Sequence, residues 1–112
     1  MENTSDTAAL FIVINAGFSA EVMDIARNSG AKGATIMNAR GEGLMRKSVL
    51  GITVDSEKEL LLMLIERDVA ENIMRAVKES FGMHTPAHGI CFTMPVGSST
   101  VINNFPQPAK DE

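Results

Sequence analysis

Seven consecutive apolar residues, Ala8–Ile14 (AALFIVI), form the first clear pattern in the chain, and Asn15-Ala16-Gly17 closes it. A short, β-branched run bounded by turn residues predicts a buried strand. Beyond it, Val22, Ile25, Ala26 and Ser29 fall on one face of a helix running to about Ser29. Ser19 is placed to cap that helix, Glu21 suits its first turn, and Gly30 stops it. Gly33–Ala39 (GATIMNA) is a second strand candidate. Residues 40–53 carry three glycines and three basic groups without a clear period, and read as a loop.

Glu57–Glu66 (EKELLLMLIE) favours helix by composition. Its six-residue apolar core, bounded by charges, suits a strand buried on both faces, with Leu60, Leu62 and Leu64 on one side and Leu61, Met63 and Ile65 on the other. Asp68 and Glu71 form the Asp variant of a capping box. After it, Val69, Ile73, Ala76, Val77 and Phe81 follow the helical period up to Gly82. Met83–Ala87 is a loop containing Pro86. Ile90, Phe92, Met94 and Val96 alternate with Cys91, Thr93 and Pro95, which predicts a last strand with Pro95 near its end or on an edge.

The resulting order is strand, helix, strand, loop, strand, helix, strand. It predicts an α+β, ferredoxin-like βαββαβ fold: a four-stranded antiparallel sheet with two helices on one face. The other face then has no third layer, so either Leu60, Leu62 and Leu64 or their opposite set is left bare, and self-association follows. The chain reads as a single domain over residues 1–112, with a core of about 8–96 and flexible tails at 1–7 and 105–112.

Composition narrows the functional classes. At 112 residues and 45% hydrophobic, the chain can bury about two thirds of its surface without staples. A net charge of −4 argues against nucleic acid as a partner, and the absence of Trp and Tyr removes most of a base-stacking platform. One cysteine, Cys91, fits a reducing compartment. The polar start MENTSDT lacks a basic leader, and no apolar run approaches the roughly 20 residues of a membrane span. A cytoplasmic protein without membrane insertion is the expectation.

Gly30–Gly43 reads GAKGATIMNARGEG. With Gly30, Gly33, Thr35, Arg40, Gly41 and Gly43 in register, it resembles the nitrogen-regulatory PII signalling family, and the likeness continues to the HGICFTMPV strand. The resemblance implies a non-enzymatic homotrimer whose bare sheet faces pack centrally. It implies clefts between subunits that bind an adenine nucleotide such as AMP or ADP, and a long loop that docks to a target, typically a transporter, enzyme or regulator, with a role in nitrogen metabolism. Carried over residue by residue, it assigns Thr35 to the adenine, Gly41 and Gly43 to the cleft, Leu64 to an apolar wall near the base and Lys58 to the foot of the signalling loop. Arg40 completes the glycine motif, and His88 and Gly89 fall in the second ligand loop.

This sequence departs from the family pattern at three places: the second ligand loop, the stretch after the cleft glycines and the stretch after the last strand. Ala87-His88-Gly89-Ile90 stands where a Gly-Asp-Gly-Lys is usual, Leu44-Met45 where a glutamine is usual, and Gly97–Asn104 has no cation. The remaining positive groups are His88, Arg40, Arg46 and Lys47. Each missing charged hydrogen bond forfeits about 1.5–3 kcal/mol, so the departures point away from tight ATP binding and leave AMP, a nucleoside-like molecule or another small anion as the expected ligand. The loop has no tyrosine to modify, and Ser48 is its one serine.

Each of these residues also has an ordinary reading. Gly41 and Gly43 alone would mark a turn, Thr35 is a good strand former, and the loop cations would be solvated charges. His84 and His88 have the spacing of metal ligands on a helix, but Pro86 lies between them. Cys91 suits core packing better than nucleophilic attack, and the eight methionines suit core or interface. The alternative function is a small ligand- or metal-binding trimer of the copper-tolerance type, which shares the fold. An acylphosphatase would need an arginine in the loop after the first strand, where Asn15-Ala16-Gly17-Phe18 stands. An amino-acid-binding regulatory domain would lack the Gly30–Gly43 pattern.

Overall fold

In a computed structural model the described residues are 6–41, 47–49, 52–54 and 56–98. Their elements are β1 (Thr7–Asn15), α1 (Ser19–Asn28), β2 (Thr35–Gly41), β3 (Lys47–Val49), β4 (Ile52–Val54), β5 (Ser56–Glu66), α2 (Arg67–Phe81) and β6 (Ile90–Pro95). The main sheet has the order β2-β5-β1-β6, with all neighbours antiparallel. This is the expected βαββαβ arrangement. Thr7, assigned to the N-terminal tail by the sequence pattern, begins β1 opposite Glu66 and is buried. The expectations for residues 1–5 and 99–112 lie outside the described residues.

The core forms where the inward half of β1 and β5 meets the helices. Leu10, Ile12 and Ile14 of β1 and Leu61 and Met63 of β5 are buried with Val22, Met23 and Ala26 of α1 and with Ala70, Ile73 and Val77 of α2. Both helices therefore cover the same sheet face. Burying each such aliphatic side chain contributes about 1.5–3 kcal/mol. The strand assignment of β5 follows from this alternation: Leu61 is 0% exposed, whereas Leu64 on the opposite side is 45% exposed.

Strand alternation places Ala9, Phe11 and Val13 of β1 on the face without helices. In register they meet Leu64, Leu62 and Leu60 of β5 and Met94, Phe92 and Ile90 of β6. Met37 of β2 pairs with Leu60 on the same face. Phe11 and Phe92 stack with ring centroids 5.0 Å apart and planes within 9°. Of the two sets considered for β5, the Leu60, Leu62 and Leu64 set lies on the uncovered face.

The helix starts differ from the sequence expectation. Ser19 is the first residue of α1, and the cap position is Phe18, with no side-chain cap bond. The Phe18 ring packs edge-on against Phe81 at 6.2 Å, so apolar packing rather than a hydroxyl directs the chain into α1. The Asp68–Glu71 capping box does not form either: α2 begins at Arg67 directly after β5, with extended Glu66 as cap and no side-chain cap bond. Arg67 N–H donates to Asp6 O at 2.8 Å, which holds that junction. Asp68 remains in the first turn, where its charge suits the helix dipole.

At its far end α1 stops at Gly30, as expected. Gly30 adopts φ +114°, Gly30 N–H donates to Arg27 O at 3.0 Å and Ala31 N–H donates to Ala26 O at 2.9 Å. This is a Schellman stop, which favours glycine.

Part of the segment expected as a loop is strand. Arg40 and Gly41 extend β2, and β3 and β4 pair through Lys47↔Val54, Ser48↔Thr53 and Val49↔Ile52. Val, Ile and Thr suit strands, but three-residue strands are too short to show a period. Pro95 ends the edge strand β6, as its missing N–H requires.

Leu61→Ala is expected to lower stability by about 2–5 kcal/mol in urea denaturation. Glu79→Ala, at an exposed position of α2, is expected to change it by less than about 0.5 kcal/mol.

Candidate functional site

One end of the sheet gathers polar groups from four segments. Gly41 ends β2, Lys58 lies near the start of β5, Asn15 ends β1, and the turn after α2 leads into β6. Lys58 and Asn15 are direct partners in the β1–β5 register, and Lys58 Nζ donates to Asn15 Oδ1 at 2.7 Å. Asn15 Nδ2 donates to Pro86 O at 2.8 Å, and Asn15 N–H donates to Ala87 O at 2.9 Å. A Cβ on Gly41 would stand 2.8 Å from Lys58 Cε, so the lysine stem lies against the glycine backbone. Among the described residues no carboxylate is paired with Lys58, whereas Arg27 on α1 pairs with Asp24 at 3.3 Å.

The turn over residues 82–89 is tied down by its own backbone. Thr85 N–H donates to Gly82 O at 3.0 Å, and His88 N–H donates to Thr85 O at 3.0 Å. Thr85 Oγ1 also donates to Gly82 O at 2.7 Å and accepts from Ala87 N–H at 3.3 Å. His88 sits at φ +48°, a conformation rare for a residue with a Cβ, and its side chain is exposed. Gly89 N–H donates to Phe81 O at 2.6 Å. A Cβ on Gly89 would fall 2.3 Å from that oxygen and 3.2 Å from Ile14 Cγ2. Close approach therefore requires glycine at 89.

The residues singled out in the sequence divide into groups. Gly41, Lys58, His88 and Gly89 come to the same end of the sheet, linked through Asn15. Arg40 is there too, but alternation turns it to the opposite face from Gly41, opposite Glu57 in register. Thr35 and Leu64 stand elsewhere. Thr35 pairs with Leu62, two residues from Leu64, on the uncovered face. Thr35 and Gly41 begin and end β2, a separation of about 20 Å at the usual strand rise. A single chain therefore does not bring Thr35 and Leu64 to the Lys58 end. Gly43, Leu44, Met45 and Arg46 lie outside the described residues, as do the side chains of Lys47 and Ser48.

Two contributors escape the sequence pattern. Asn15 reads there as a turn marker, although an Asn closing an apolar strand is a poor strand former and so a signal in itself. Glu59 accepts from Gly17 N–H at 3.3 Å and ties the β1–α1 turn to β5. Cys91 lies on the helix side of β6, opposite Ile12 in register, and burial pushes its thiol up. Its thiolate is correspondingly scarce at neutral pH, as expected of a packing residue. Among the described residues no group of three or more His, Cys, Asp or Glu side chains is gathered as metal ligands would be.

Comparison with known proteins bears on the whole of this arrangement. The family model described as nitrogen regulatory protein P-II matches residues 8–104. No curated protein matches the chain. Among solved structures, a PII-like signalling protein from Thermus thermophilus is 23% identical, with a TM-score of 0.63 over 80% of this chain and 86% of that one. CPII, a nitrogen regulatory PII-like protein from Thiomonas intermedia bound to ADP, AMP and bicarbonate, is 15% identical, with a TM-score of 0.65 over 84% and 93%. The GlnK–ATP complex of B. subtilis is 14% identical, with a TM-score of 0.61 over 80% and 84%. At these identities the three share the fold with this chain.

Gly89→Ala is expected to lower the Tm by several degrees in a thermal melt, because its Cβ cannot be placed beside Phe81 O. Gly97→Ala, where an added Cβ meets nothing within 4 Å, is expected to leave the Tm within about a degree. Equal melting of the two variants would contradict the close approach.

Proposed function

The chain belongs to the nitrogen regulatory protein P-II family, and on that premise we propose that it is a non-enzymatic homotrimeric regulator that senses an adenine nucleotide in clefts between subunits. One observation carries the reading. The helix-free face is apolar from β2 to β6, with Phe92 44%, Leu64 45%, Ile90 51% and Met94 50% exposed. A face of that extent is costly in water, and closed packing of identical copies removes it.

The same packing accounts for the divided site. Thr35 and Leu64 lie on the apolar face, while Gly41, Lys58, His88 and Gly89 lie at one end of it. A seam between copies lets the Thr35 region of one chain complete the Lys58 end of its neighbour. The N–H groups of the 87–89 turn stay with Thr85 and Phe81, so the exposed His88 side chain is then the group on that turn that offers a donor to phosphate, and Lys58 sits beside it at the foot of the 42–55 segment. The 42–55 segment between β2 and β5 reports occupancy to a target protein, which is a transporter, an enzyme or a regulator. Nitrogen metabolism and the cytoplasm are the setting that the family brings. No helix among the described residues is long and apolar enough to cross a membrane.

AMP and ADP are the favoured ligands. The turn carries Ala87-His88-Gly89-Ile90, without the lysine that a third phosphate would need nearby. CPII holds ADP and AMP in its structure, and GlnK holds ATP.

Isothermal calorimetry tests this reading. ADP or AMP is expected to bind at least about tenfold more tightly than ATP, the equivalent of one missing charged hydrogen bond. Thr35→Ala and Gly41→Val are each expected to weaken that binding without loss of the helical circular dichroism signal. ATP binding as tight as ADP binding, or indifference to both substitutions, would contradict it.

A further inference from the structure

Asn15 is unusual for its place. It follows seven apolar residues as the last residue of β1, where a β-branched residue would pair better. Its side chain is committed at both ends, accepting from Lys58 Nζ at 2.7 Å and donating to Pro86 O at 2.8 Å. Which atom is oxygen follows from the partners, because an ammonium only donates and a carbonyl only accepts. Its main chain adds a third tie, to Ala87 O at 2.9 Å. A single planar amide thus spans from β5 to the 82–89 turn.

Lys58 needs such a partner. Its four-carbon stem has many rotamers, and without a fixed acceptor its ammonium would sample many positions. Held by Asn15, the stem lies flat against Gly41, within 2.8 Å of where a Cβ would stand. The glycine and the asparagine together define one location for the charge. Lys58 is half-buried, and among the described residues it has no carboxylate partner that would fix it otherwise.

We propose that Asn15 is a positioning residue that holds the Lys58 ammonium over Gly41 and fastens it to the turn at Pro86–His88, so that a ligand engaging that turn alters Lys58 at the foot of the 42–55 segment. The clamp on Lys58 stands on the hydrogen bonds alone, while its response to ligand rests on the nucleotide reading above. Asn15 acts through Lys58 and Pro86, and need not touch the ligand itself. Because one amide serves both partners, replacing it with a group that keeps only the acceptor separates holding from coupling.

Limited acetylation of the full chain with acetic anhydride, read lysine by lysine by peptide mass spectrometry, tests both parts. Lys32 and Lys78, both exposed, serve as internal references. In the unaltered protein Lys58 is expected to react about tenfold more slowly than Lys78, the effect of one hydrogen bond to a charged group. Asn15→Ala is expected to raise Lys58 to the rate of Lys78. Asn15→Asp, near in shape and so protected against misfolding, keeps the acceptor for Lys58 and loses the donor to Pro86 O. It is expected to leave Lys58 slow while abolishing the change in its rate that saturating ADP causes in the unaltered protein.

Equal Lys58 rates in the unaltered protein and Asn15→Ala would overturn the clamp. Bound ADP that leaves Lys58 unchanged in the unaltered protein, or an ADP response that persists in Asn15→Asp, would overturn the coupling. Absence of ADP binding in calorimetry defeats the nucleotide reading and the coupling with it, while the comparison with Asn15→Ala still decides the clamp.

Discussion

A sheet with two apolar faces and helices for only one of them is the constraint on which the rest of this molecule depends. α1 and α2 bury Leu10, Ile12, Ile14, Leu61 and Met63. The alternate positions of the same strands are as apolar and have no cover among the described residues. Strand geometry forces this: β1 and β5 are central, each of their residues points to one face or the other, and neither face can be polar if both neighbours in the run are apolar. Phe11 and Phe92 soften the exposure by stacking on each other, but the surrounding Leu64, Ile90 and Met94 remain open. Association between copies is the direct way to remove that surface from water.

The same constraint explains the scatter of the candidate site. Residues along one strand are spread by the rise of the chain, so Thr35 and Gly41 on β2 cannot share a small ligand within one subunit. Residues across the strands converge instead, and at the loop end they do so through a row from Gly41 to Lys58, Asn15 and Ala87. Glycines serve different purposes along that row. Gly41 leaves room for the Lys58 stem, whereas Gly89 lets the backbone close on Phe81 O.

Much of the fold was legible because burial on each face follows a period of two or of 3.6 residues. The alternation of Leu61 and Met63 with Leu60, Leu62 and Leu64 identified β5 as a strand against its helical composition. The stop at Gly30 was legible because a positive φ there favours glycine. Helix starts were not, because they are decided by tertiary neighbours: Phe18 packs edge-on against Phe81 at the start of α1, and β5 runs directly into α2 at Glu66 without a side-chain cap bond. The β3–β4 hairpin was hidden by its brevity. Of the polar cluster at the loop end, Lys58, Gly41 and Gly89 are positions that the resemblance also names, whereas Asn15 is not. Its partners Lys58 and Pro86 lie 43 and 71 residues away in the chain, and its position at a strand end reads locally as a turn.

Sedimentation equilibrium of the full chain, alone and as Phe92→Asp, tests most directly whether the bare face is the seam on which the account rests. The account predicts a mass three times that of the chain at micromolar concentration, and its collapse toward the single-chain mass when a carboxylate is placed at Phe92. A single-chain mass for the unaltered protein, or a threefold mass that survives Phe92→Asp unchanged, would contradict it.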